Sequence, residues 1–304
     1  MVIHSTNQAV VDAGLQSVGA DWYLDFHATT TGIPAGKRRL IYVDIDGQKT
    51  LMSRDAIQDL AQNQVGATWY VGGEPNRRVL VDDVIEDLRY YYEEIKLADP
   101  TALITSPSML NWDFTCIGCG GYTSGQTWMS ELLDRYQELY STLPPWDIWA
   151  IDLYPIDWWN FPNNGFIGPV GAPDQSIPAL QLQAYREYID TIPGKSGQPI
   201  IVTELGIHWG WTAIEHGVAG CDGAPSPAGE YKSLVVRDYF DSVFTWLEDH
   251  AVTHNILRWF TFTTYADITK CREDGYAGMS LLNSPDADAQ LTDLGRWYAA
   301  RSAP

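Results

Sequence analysis

Positive charge is scarce in this chain of 304 residues: 19 Lys and Arg stand against 39 Asp and Glu, a formal net charge of −20. Nucleic acid and anionic membrane surfaces both demand a surplus of cations, so neither is an expected partner. No stretch approaches the ~20 uninterrupted apolar residues of a membrane span. Met1-Val2-Ile3-His4 has no basic region leading into an apolar run, so a signal peptide is expected to be absent or already removed. Cysteines number only 4, and a chain this long can bury its core without disulfides. No His-Glu-x-x-His or related metal spacing occurs, and no cofactor or metal is expected. There is no internal repeat and no low-complexity segment. Phe is sparse at 8, beside 13 Trp and 17 Tyr. That excess of polar-tipped rings suits wet, aromatic-lined binding surfaces better than a simple core.

What is present is an alternation of short β-rich runs with stretches of helical period. Strands are predicted at 2–5, 21–26, 40–45, 68–74, 102–106, 148–154, 200–204 and 256–262. Several are nearly continuous apolar runs, such as Ile200-Ile201-Val202-Thr203, the pattern of strands buried on both faces of a parallel sheet. Helices are predicted at 8–18, 55–63 with Ser53 as N-cap, 80–96, 127–141, 178–192, 230–250 and 292–300. The link from His27 to Arg39 shows no helical pattern. Eight strands with helical crossovers in 304 residues fit an α/β fold of the (β/α)8 TIM-barrel type, as one domain spanning 1–304. A doubly wound sheet is the competing fold, but no Gly-rich turn follows the first strand.

A barrel of this kind carries its site at the C-terminal ends of its strands. The fourth strand ends in Gly72-Gly73-Glu74-Pro75-Asn76 and the seventh in Val202-Thr203-Glu204-Leu205-Gly206. Each apolar run thus terminates in a glutamate, which is costly to desolvate unless it has partners or a task. Three strands apart, the two would face each other across the mouth. Paired carboxylates in a cleft are the equipment of glycoside hydrolysis. The structural alternatives are an ion pair of Glu74 with Arg77 or Arg78, and a capping or loop role for Glu204.

With these motifs the sequence resembles the clan A glycoside hydrolases, a superfamily of retaining (β/α)8 enzymes that includes cellulase-like members. The resemblance implies Glu74 as acid/base and Glu204 as nucleophile. Asp152-Leu153-Tyr154-Pro155 ends the sixth strand, where such enzymes often have His-x-Tyr, and implies Tyr154 beside the nucleophile. Arg258-Trp259-Phe260 lies on the eighth strand and implies Trp259 as the floor of the first sugar subsite. The clan usually has Asn before the acid/base, bonded to the sugar 2-hydroxyl. Here that position is Gly73, and Asn111 is the candidate substitute. An acid and a nucleophile so close cannot both ionise cheaply, and Glu204 is the member expected to stay ionised.

Further candidates for binding hydroxyls follow the strand ends. They are Asp25 and His27 after the second strand, Asp44 and Asp46 after the third, and Trp112 after the fifth. Trp158 and Trp159 follow the sixth, His208 and Trp209 the seventh, and Tyr265 the eighth. About half of the rings are expected to plug loops instead, and polar loop residues often just cap backbone groups. Cys116, Cys119, Cys221 and Cys271 fall in loops at the same mouth. They read either as two disulfides, with Cys116 to Cys119 and Cys221 to Cys271 the favoured pairing, as a zinc knuckle with four thiolate ligands, or as free thiols.

The expected protein is therefore a secreted, monomeric hydrolase of an oligo- or polysaccharide, endo-acting and retaining. Loops 160–176 and 210–229 would shape its cleft. Two rival readings stand beside it. One is an inactive carbohydrate-binding barrel, for which Gly73 argues. The other is a metal-assisted hydrolase using Asp25, His27, Asp44 and Asp46.

Overall fold

A computed structural model of the chain describes residues 1–3, 5–26, 32–45, 47, 51–113, 123–154, 176–206, 229–265 and 279–302. Nine strands alternate with seven helices among them. The strands are β1 (Val2–Ile3), β2 (Trp22–Asp25), β3 (Arg38–Val43), β4 (Thr68–Val71), β5 (Leu103–Ile104), β6 (Met109–Leu110), β7 (Trp149–Leu153), β8 (Ile200–Leu205) and β9 (Ile256–Thr261). The helices are α1 (Gln8–Val18), α2 (Arg54–Asn63), α3 (Val81–Ala98), α4 (Gly125–Tyr140), α5 (Ser176–Thr191), α6 (Gly229–His254) and α7 (Asp293–Ser302). None of the described helices is long and apolar enough to cross a membrane.

All strand pairs are parallel, in the orders β1-β2-β3-β4-β5 and β6-β7-β8-β9. Two seams join these sheets into a closed ring. On one side Thr105 bridges to Ile148 and Gly73 to Ser108, so β5 and β6 are two halves of one barrel strand, interrupted around Pro107. On the other side Thr264 N–H donates to the Val2 carbonyl at 3.1 Å. The barrel is thus the (β/α)8 architecture that the alternation predicts, with the fifth strand broken where proline cannot donate to a ladder.

Local chemistry accounts for the helix boundaries. Asn7, Ser53 and Ser124 cap α1, α2 and α4, their side-chain oxygens accepting from Ala9, Ala56 and Thr127 N–H. Asp82 and Asp83 open α3 and Lys96 closes it, each sign matched to the helix dipole. The buried stripe Val81, Val84, Ile85, Leu88, Tyr91, Tyr92 and Ile95 faces the sheet, and one continuous apolar core links the strands to the helices.

One irregularity positions the site. Ile151 of β7 pairs with Val202 of β8, but the next residue, Asp152, pairs with Glu204. On the other flank Val202 pairs with Trp259 and Leu205 with Thr261. Both neighbouring strands therefore see one extra residue in β8, a bulge at Thr203. Side chains alternate along a strand with period two, so an extra residue changes which face its successors present. Here it brings Glu204 level with Asp152.

The approach to Glu74 is equally constrained. Gly72 has φ +82°, and a Cβ there would lie 2.5 Å from Ile45 Cδ1. Replacing Gly72 by Ala should cost about 2 kcal/mol, part left-handed strain and part overpacking. Urea denaturation would measure it, and an unchanged midpoint would contradict the packing described.

Candidate active site

Glu74 leaves β4 in a left-handed conformation, φ +48° and ψ +46°, which costs a non-glycine residue about 1 kcal/mol. Several bonds hold it there. Glu74 N–H donates to the Ser108 carbonyl at 2.9 Å, and Ser108 N–H to the Gly72 carbonyl at 2.9 Å. Pro75 opens a short 3-10 turn, Pro75–Arg77. Asn76, 2% exposed, spends its side chain on the neighbouring strand: its amide donates to Leu110 and Thr123 carbonyls, and its oxygen accepts from Leu110 N–H at 3.0 Å. The Glu-Pro-Asn motif thus has one chemical member, and its Pro and Asn fix the turn.

One carboxyl oxygen from each of Glu74, Asp152 and Glu204 lies within 4.8 Å of the other two. The Tyr154 hydroxyl donates to Glu204 Oε2 at 2.7 Å. Arg77 forms an ion pair with Glu74 from the same turn, so the structural alternative for Glu74 and its place in the cluster coexist. Asp152 is fully buried. Its Oδ1 accepts from the Thr203 hydroxyl at 2.6 Å, that hydroxyl lies 2.8 Å from Ser108 Oγ, and Tyr70 Oη is 3.4 Å from Oδ2.

Crowding of acids has a direct electrostatic result. Burial first, and then the Asp152 and Glu74 charges, push the Glu204 carboxyl well above the usual carboxylate range; the Tyr154 hydroxyl and Arg77 oppose this. Burial and the Glu74 charge act on Asp152 in the same direction. The expectation that Glu204 keeps a low proton affinity as one member of a simple pair is therefore corrected. A third carboxyl, Asp152, shares the space, and protons belong to the set. Asp152 is the residue that sequence reasoning misses. Its signal is present as an acid that follows the apolar run Ile148-Trp149-Ala150-Ile151, but the family resemblance points past it to Tyr154.

Gly73 also finds a reason. A Cβ at this position would lie 3.0 Å from Tyr70 Oη and 3.4 Å from Tyr42 Oη. Two tyrosines of the barrel occupy the space into which an asparagine would project. Burial raises the proton affinity of both phenols, so each remains a donor. Asn111, the expected substitute, adopts φ +50° and is fully buried; its oxygen accepts from Tyr154 N–H at 3.3 Å. Its amide nitrogen has no partner among the described residues.

Several expected subsite residues are placed elsewhere. Trp259 packs on Phe244 of α6, its ring centroid 6.4 Å away, on the helical side of β9. Residue 262 is the one level with the site, its N–H bonded to the Leu205 carbonyl at 2.9 Å. Trp112 is 1% exposed and wedged against Tyr185 and Tyr188 of α5 at 4.5 and 4.8 Å, a core ring rather than a sugar platform. Asp25 is buried against Arg39 at 3.8 Å. Asp44 accepts from Arg78 at 2.7 Å and Tyr42 at 2.9 Å, and Arg78 in turn donates to the Gly73 carbonyl, so Asp44 braces the turn before Glu74. Asp25 and Asp44 hence each serve an arginine. Tyr265 lines a small hollow with Ile3, Ser5 and Leu282. His27, Asp46, Trp158, Trp159, His208, Trp209 and the four cysteines lie outside the described residues, as do most of loops 160–176 and 210–229.

No family model matches the sequence, and no curated protein matches it. Among solved structures, the chain is similar to a GH128 (subgroup VI) exo-beta-1,3-glucanase from Aureobasidium namibiae, with TM-score 0.60 and 12% identity, over 98% of this chain and 94% of that one. A GH128 (subgroup IV) endo-beta-1,3-glucanase from Lentinula edodes gives 0.56 and 13%, covering 96% and 93%. A GH128 (subgroup I) endo-beta-1,3-glucanase mutant from Amycolatopsis mediterranei, in complex with laminaripentaose, gives 0.54 and 16%, covering 98% and 97%. At such identities the likeness shows the fold, a (β/α)8 barrel along nearly the whole chain.

The raised proton affinity of Glu204 has a measurable consequence. A carboxyl that holds its proton more tightly in the fold than in the unfolded chain costs stability as pH rises above the ordinary carboxylate range, and costs nothing below it. Glu204→Gln should therefore stabilise the protein at pH ~8, by on the order of 1 kcal/mol, with the gain vanishing toward pH ~4. Denaturation midpoints across that range test the sign; a variant less stable than the parent at pH ~8 would refute it.

Proposed function

We propose that the chain is a glycoside hydrolase that cleaves a polysaccharide with retention, with Glu74 as acid/base and Glu204 as nucleophile. The observation that carries this reading is that an oxygen of each carboxyl comes within 4.8 Å of the other at the ends of the fourth and seventh barrel strands. Retaining enzymes hold their carboxyls roughly 5–5.5 Å apart, whereas inverting ones need roughly 6.5–9.5 Å to admit a water. Glu74 donates its proton to the glycosidic oxygen as Glu204 attacks the anomeric carbon and the leaving sugar departs. The glycosyl-enzyme ester then forms, and Glu74 takes a proton from the water that hydrolyses it. Arg77 moderates the charge beside Glu74, and the Tyr154 hydroxyl orients Glu204.

The β-1,3-glucanase activity of the structural neighbours makes a β-1,3-glucan the first substrate to test, in an endo mode as the aromatic supply suggests. A polymer does not cross a membrane, which supports an extracellular setting for the enzyme, as a monomer. For the cysteines, the disulfide reading accords with that compartment.

Digestion of a panel of β-1,3-, β-1,4- and mixed-linkage glucans should yield oligosaccharides from the β-1,3 polymer. Glu74→Gln and Glu204→Gln should each lower kcat/KM by at least about 10³-fold. Proton NMR of the fresh products should show the β-anomer first; the α-anomer first would mean inversion. Binding without cleavage of any glycan or activated aryl glycoside would favour the carbohydrate-binding alternative, for which Gly73 speaks.

A further inference from the structure

The charge balance of the cluster does not close with the two glutamates alone. Three carboxyls share the mouth of the barrel, and Arg77, paired with Glu74, is the guanidinium among them. The double displacement needs one proton on Glu74 and a negative charge on Glu204. That anion already balances the cation. Asp152 is then the remaining acid, with no exposed surface. Among the described residues, every group that faces it from the neighbouring elements is neutral or acidic. Tyr70 comes from β4, Glu74 from the turn after β4, Ser108 from between β5 and β6, and Thr203 and Glu204 from β8. A second buried anion here would stand beside Glu204 with no counter-charge of its own, the arrangement proteins avoid.

We propose that Asp152 is a positioning residue that works as a neutral carboxylic acid, keeping a proton in the barrel wall while Glu204 carries the negative charge opposite Arg77. The hydrogen-bond pattern has room for that proton. The Thr203 hydroxyl, 2.8 Å from Ser108 Oγ, donates to Asp152 Oδ1, so Oδ1 is satisfied as an acceptor. Oδ2 accepts only a long contact of 3.4 Å from the Tyr70 hydroxyl, which leaves it room for the proton. Burial supports the same protonation state and outweighs the hydroxyls of Thr203, Ser108 and Tyr70, which act the other way. Kept neutral, Asp152 fixes the bulge at Thr203, and with it the direction of Glu204, without competing with the nucleophile for Arg77.

This inference rests on the glycosidase reading for its consequence in catalysis, but its first test needs no substrate. Infrared difference spectra of the ligand-free protein at pH 7, Asp152→Asn minus parent, should show the loss of one protonated-carboxyl C=O band. Persistence of the full band in the variant would overturn the proposal. Should that variant fail to fold, Tyr70→Phe keeps the acid and removes the neighbour of Oδ2; the band should shift, and an unmoved band would overturn the proposal. In catalysis, asparagine preserves shape and neutrality. The loss of kcat/KM in Asp152→Asn should be at least about tenfold smaller than in Asp152→Ala, and the acid limb of the pH profile should stay in place. An acid limb that moves to lower pH would mean that a charge had been removed from beside Glu204, and would refute the neutral state. Loss of the infrared band in a protein that cleaves no glycan would leave the proton assignment standing and sink the glycosidase reading alone.

Discussion

Three carboxyl groups gathered within 4.8 Å beside the Arg77 guanidinium are the constraint on which the rest of this structure turns. Like charges so close, and mostly out of water, repel unless protons or cations intervene. The surroundings answer that problem group by group. Arg77 sits on the turn that presents Glu74, Tyr154 donates to Glu204, and a relay of hydroxyls serves Asp152. The left-handed backbone at Glu74 and the bulge at Thr203 are the conformational costs of the same arrangement. Strain and like-charge repulsion concentrated at one strand-end cluster, in an otherwise regular barrel, are what a site selected for chemistry looks like.

Much of the fold is legible in the sequence because it is written in periodicity. Apolar runs and 3.6-residue stripes mark every barrel strand and seven helices, and caps such as Ser53 lie where the pattern begins. The two glutamates are legible for a related reason: an acid that ends an apolar run cannot be idle. What periodicity does not encode is which face a residue takes once the ladder is irregular. The break of the fifth strand around Pro107 and the extra residue at Thr203 both lie in stretches that read as ordinary strand.

The aromatic candidates show the other limit. Position after a strand end says that a ring lies near the mouth, not which way it points. Trp112 follows its strand as a platform would, yet Gln181 of α5 accepts from its backbone N–H, and Tyr185 and Tyr188 enclose its ring. Trp259 lies in the middle of β9, where alternation assigns it to the helical layer. Gly73 is conspicuous as a missing side chain; the reason is the two tyrosine hydroxyls from β3 and β4 that fill its place, a long-range fact that no local window contains.

The bulge at Thr203 also changes what kind of variation this strand can absorb. At Ile201 or Val202 another branched apolar side chain preserves the wall, because only volume is at stake. Removal of a single residue anywhere between Val202 and Leu205 is a different event. Loss of Thr203, for example, restores regular alternation with Glu204 still opposite Asp152, but takes away the hydroxyl that donates to Asp152 Oδ1. The extra residue in this strand therefore matters for the hydroxyl it sets beside Asp152, and Thr203 is the position where identity counts as well as volume.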